Sequence, residues 1–270
     1  MQNLKPDVHD IRIYQKLGRV DAKSLDTVDQ LLLLLPAKPA GTVFGKLPQG
    51  AKMQAVYRKH AAGSTPAFTT RLGNKKQTLV VAGTITGDAS TFEQLTLGRK
   101  LVAAATSQKA GCVGICAIGF DTAAQTSLVR NILAAALAAA FKLPSYKSEP
   151  EAESIKTIRL LGVDEKIDTR RTEAEAKGNN LARWLTVQPP NVLDAVGYAH
   201  LIRDMARDAG WQYKRFGTRE LDSMGCGAFL AVAQGNDNDS ASIVRLRYRP
   251  NDKRAKADLS LVGKGIIFDT

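Results

Sequence analysis

The stretch Gly111-Cys112-Val113-Gly114-Ile115-Cys116-Ala117-Ile118-Gly119 is a short apolar run between glycines, and Asp121 to Leu143 follows it directly. The run reads as a buried strand, in which a separation of four puts Cys112 and Cys116 on one face. The segment after it reads as a helix. Val129, Ile132, Leu133, Leu137 and Phe141 make a single stripe, and the intervening alanines favour helix and allow close packing. To either side, Leu31 to Leu35 is a strand-like run ended by Pro36, Gln77 to Ala82 is another ended by Gly83, and Ile155 to Val163 is a third. From Thr91 to Lys109, Phe92, Leu95, Leu101 and Val102 recur at helical intervals, with Ser90 or Thr91 able to cap the start. Strand, helix, strand, helix, strand predicts parallel pairing through crossovers, and therefore an α/β layer domain.

Composition shifts after that. Lys142 to Glu153 is rich in Lys, Pro, Ser and Glu and suits an exposed connection. A polar helical pattern, Thr169 to Leu185, follows the strand at Ile155 to Val163; Pro189-Pro190 then forces an extended stop. Leu193 to Gly210 resumes as an amphipathic helix with a glycine at its end. The boundary is expected near residue 165, giving domains 1–165 and 166–270.

The 270 residues are 44% apolar and 24% charged, which excludes a disordered or collagen-like chain. The longest apolar run, Ile132 to Phe141, has ten residues, well short of the ~18 a spanning helix needs, so no membrane partner is expected. No secretory signal is evident at Met1 to Asp7, so a cytoplasmic location is expected. Three cysteines, Cys112, Cys116 and Cys226, are too few and too scattered for a disulfide framework. His9, His60 and His200 are isolated, which argues against a histidine-built zinc site. The net charge is +12, so a polyanion is a conceivable partner. The densest basic stretch, Val244-Arg245-Leu246-Arg247-Tyr248-Arg249, alternates, so its arginines are expected on the solvated side of an edge or half-exposed strand.

Chemistry concentrates in Leu259-Ser260-Leu261-Val262-Gly263-Lys264-Gly265-Ile266-Ile267-Phe268-Asp269-Thr270. An apolar strand delivers a lysine between two glycines, with a carboxylate five positions later. An odd offset puts Lys264 and Asp269 on opposite faces of a regular strand, so a shared site needs a bulge or turn, which Gly265 permits. The phosphate-loop spacing is absent.

Three blocks, in order, resemble the leucyl aminopeptidases, the cytosolic di-metal exopeptidases. They are Asn180-Leu181-Ala182-Arg183-Trp184-Leu185 with Gln188-Pro189-Pro190-Asn191-Val192-Leu193; Met224 to Gly235, rich in small residues; and Val262-Gly263-Lys264-Gly265-Ile266-Ile267-Phe268-Asp269-Thr270. The resemblance implies a macro-like amino-terminal α/β domain followed by the beginning of an α/β zinc-exopeptidase-type catalytic domain. It implies that Lys264 ligates one divalent ion and that Asp269 bridges two, manganese or zinc. Such a pair acidifies a shared water and clamps the developing oxyanion of a peptide substrate. Asn180, Arg183, Pro189 and Pro190 are expected to cap, turn and orient the linking helix, and Met224 to Gly235 to pack its backbone closely.

The family pattern continues past the position of Thr270 with two glycines, a catalytic lysine, further metal carboxylates and an Asn-Thr-Asp-Ala-Glu-Gly-Arg motif. No catalytic residue beyond the two metal ligands is therefore assigned, and the chain is expected to be a fragment or a truncated product, inactive alone. By the same resemblance the complete enzyme is a homo-hexamer acting on peptides. The alternative is a non-catalytic regulatory or DNA-binding module, as for some members of the family.

Overall fold

The computed structural model describes residues 10–59, 67–108, 110–145, 155–235, 241–249 and 259–265. The chain divides into two compact units, Val8–Trp184 and a second that runs from Leu185.

The first unit is built on a six-stranded sheet. Its strands are β1 (Arg12–Leu17), β2 (Gln30–Pro36), β3 (Phe68–Arg71), β4 (Leu79–Ile85), β5 (Cys112–Ala117) and β6 (Thr157–Val163), in the spatial order β1-β6-β5-β2-β4-β3. All pairs are parallel except β3 with β4. The run Leu31 to Leu35 forms the middle of β2, and all five side chains are fully buried. Alternation divides them between two cores. Leu32 and Leu34 join Val113, Ile115 and Leu160 beneath the helices α4 (Thr91–Thr106) and α5 (Thr122–Ala140). Leu31, Leu33 and Leu35 join Cys116 and Leu161 beneath α1 (Ala22–Leu25), α2 (Gly41–Phe44) and α3 (Gly50–Lys59), which contribute Leu25, Phe44 and Met53. A sheet covered on both faces needs apolar residues at every position, which is why β2 reads as an unbroken run.

Gly83 lies inside β4, two residues before its end, and does not terminate the strand. A Cβ there would come within 2.8 Å of Leu97 and 3.1 Å of Leu101 on α4, so the glycine lets the helix sit close to the sheet. The two helix starts follow their sequence signals. Ser90 and Glu93 form a capping box on α4, and Asp121 accepts the Ala124 amide at the head of α5. Buried Gln125 then ties α5 to the ends of two strands. Its Nε2 donates to the carbonyls of Ala117 and Gly162, and its Oε1 accepts from the Asp164 amide at 2.8 Å.

Helix α6 (Arg170–Thr186) carries the polar pattern after β6. In the second unit, α7 (Ala195–Asp208) is capped by Asp194 and followed by Gly210 at φ +68, a left-handed turn that glycine adopts without steric cost. Strand β7 (Gln212–Gly217) pairs antiparallel with β8 (Ser242–Arg247), and α8 (Thr218–Ser223) and α9 (Gly227–Ala233) lie between them in sequence. The Tyr213 hydroxyl donates to the Ala199 carbonyl, fixing α7 on one face of this ribbon. The apolar interior here is small: Leu193, Ala199, Leu201, Ala206 and Leu221 are buried, while Trp211, Val232, Ile243, Leu246, Leu259, Leu261 and Val262 are exposed. No helix among the described residues is long and apolar enough to cross a membrane.

Candidate functional site

The first motif block lies on α6. Asn180 is buried, and its Nδ2 donates to the Leu137 carbonyl at 3.5 Å. Arg183 donates from Nη1 to the Ala138 carbonyl at 2.8 Å and to Asn180 Oδ1 at 2.9 Å. Leu137 and Ala138 belong to the last turn of α5, whose carbonyls have no partner within their own helix. The two motif residues supply those partners, and Trp184 adds an edge-on contact to Phe141, with ring centroids 6.4 Å apart. The block therefore acts structurally, closing the carboxyl end of α5 from α6. Arg183→Ala is expected to lower unfolding stability by about 1.5–3 kcal/mol, the scale of a lost charged hydrogen bond, here to the half-buried Ala138 carbonyl. A urea titration of both proteins measures it, and a midpoint unchanged by the substitution would contradict that role.

Pro189 makes the turn that its sequence demands. Its carbonyl accepts from the amides of Val192 and Leu193, at 2.9 and 3.0 Å, and the chain passes directly to Asp194, which caps α7 by accepting the Gly197 amide.

Met224 to Gly235 is the second motif block. It contains α9, which has no buried residue, and a Cβ added at Gly225, Gly227 or Gly235 would meet no atom within 4 Å. Among the described residues nothing packs against these glycines. Gly225, at φ +74, is held by a turn requirement.

Of the third block, residues 259–265 are described. They form no strand, because β8 pairs only with β7 among the described residues and an extended segment needs a neighbour for its amides. Lys264 is exposed between Gly263, where an added Cβ would meet no described atom within 4 Å, and Gly265, where an added Cβ would lie 3.8 Å from the Tyr198 ring. Asp269 lies outside the described residues.

The described donors fall short of a metal centre. Among the described residues no three His, Cys, Asp or Glu side chains gather in one place, and of the three histidines only His200, half-buried on α7, is described. A lysine amine binds a metal only when neutral, and one amine with one carboxylate gives two donors where each divalent ion takes about four. No chemical step is assigned to a metal on this chain alone. Cys112 and Cys116 offer no substitute nucleophile. Burial pushes the Cys116 thiol up to about 12, and burial also raises Cys112, partly offset by the Arg159 guanidinium beside it. Both stay protonated thiols near neutrality, and Cys116 is a core side chain on the same sheet face as Cys112.

Residues 180–270 match the family described as "Cytosol aminopeptidase family, catalytic domain". Over that span the chain is similar to the cytosol aminopeptidases. A probable cytosol aminopeptidase of Parasynechococcus marenigrum (strain WH8102) is 29% identical over 246 residues, 88% of this chain and 49% of that protein. One of Synechococcus elongatus is 32% identical over 209 residues, 75% of this chain and 41% of that protein. The chain spans between about a quarter and a half of the length of the curated relatives it matches. In fold, a tomato leucine aminopeptidase variant aligns over 90% of this chain and 51% of its own, with a TM-score of 0.72 at 16% identity. The bottromycin maturation enzyme BotP in complex with Mn aligns over 83% and 46%, with a TM-score of 0.60 at 18% identity. The mixed α/β architecture with its largely parallel sheet is thus shared with leucine aminopeptidases.

Proposed function

We propose that this chain is the amino-terminal part of a metal-dependent, leucyl-type aminopeptidase that releases amino-terminal residues from peptides. The observation that carries this reading is the family match over residues 180–270, the span that contains Lys264 and Asp269. In the complete enzyme Lys264 would serve one divalent ion and Asp269 two, manganese or zinc, with the first unit as a macro-like α/β domain. A cytoplasmic homo-hexamer is the assembly proposed for it. Two divalent ions, when bound, would supply a nucleophilic water at neutral pH.

By itself the 270-residue chain is expected to release no aniline product from an aminoacyl anilide, with manganese, cobalt or zinc added, because two donors cannot hold two ions. Turnover that persists through purification to homogeneity and disappears with a chelator would overturn this expectation.

A further inference from the structure

We draw no further inference here: the strongest candidate, the side-chain cluster at one end of the six-stranded sheet where the Arg159 guanidinium lies beside the half-buried Cys112 thiol of β5 and 4.8 Å from the Tyr14 ring centroid of β1, rests on a lone cysteine, and nothing in the structure shows what ligand it would take.

Discussion

Asp269→Ala, made in a polypeptide that joins residues 1–270 to the rest of a family catalytic domain, is expected to abolish peptide hydrolysis and remove at least one metal ion. Lys264→Ala is expected to weaken one ion and leave the other in place. The asymmetry comes from the donors proposed for the two residues. A bridging carboxylate gives an oxygen to each ion and neutralises part of both charges, so its loss leaves two cations close together with less negative charge between them. A neutral amine ligates one ion and contributes no charge. Replacing groups that only support metal ligands typically costs 10–100-fold in affinity or activity, so losing a bridging ligand should exceed about a hundredfold. Metal counting by plasma mass spectrometry on both variants distinguishes the roles. Two ions retained per subunit in Asp269→Ala would reject the assignment.

The largest expected effect on stability comes from Gly50→Ala. Gly50 opens α3, and a Cβ there would lie 1.8 Å from the Phe44 carbonyl oxygen and 2.6 Å from its carbon. These are backbone atoms, so no rotamer change relieves the overlap. Phe44 cannot withdraw easily, because its side chain is buried and its ring packs on Tyr57 with centroids 5.8 Å apart. Moving α2 away from α3 would open the core that holds Leu33 and Met53. We expect a loss of about 3 kcal/mol or more, at the upper end of what overpacking costs. Gly178→Ala provides the contrast, since Gly178 lies within α6 and a Cβ there meets nothing within 4 Å. Alanine should stabilise that helix by about 0.5–1 kcal/mol. Urea midpoints for both variants measure the pair, and a Gly50→Ala midpoint close to the parent's would show that the α2–α3 turn is not rigid.

Much of the first unit can be read from the chain because its signals are local. The capping residues Ser90 and Asp121 start their helices, and the five leucines of β2 announce a sheet covered on both sides. Strand order is less accessible. β4 and β5 follow one another in sequence but stand on either side of β2, a placement set by how α4 and α5 pack. Gly83 shows a related difficulty, since a glycine that stops a strand and one that admits a neighbouring helix look the same in sequence. Their difference lies in Leu97 and Leu101, more than a dozen residues away. The linking helix is a third case. A composition shift near residue 165 groups it with the second domain, whereas Asn180 and Arg183 bond the end of α5 and the first unit extends to Trp184.

The β7–β8 ribbon divides in the same way. Alternation in β8 already groups Arg245 with Arg247, but nothing local singles out Lys214 and Phe216, which join that face only through cross-strand register. For Lys264 the residue type and its flanking glycines mark a candidate, while its proposed metal role comes from resemblance. A shared site with other donors depends on parts of the chain far apart in sequence.

Hydrolysis of leucyl anilide decides whether these residues serve a metal-dependent aminopeptidase. The protein to assay is the polypeptide that joins residues 1–270 to the rest of a family catalytic domain, before chelation, after it, and again once manganese or zinc is restored. The expected result is turnover that chelation abolishes, that added metal restores, and that is absent in Asp269→Ala. Turnover of equal rate in chelator, or in a folded Asp269→Ala protein, would contradict it.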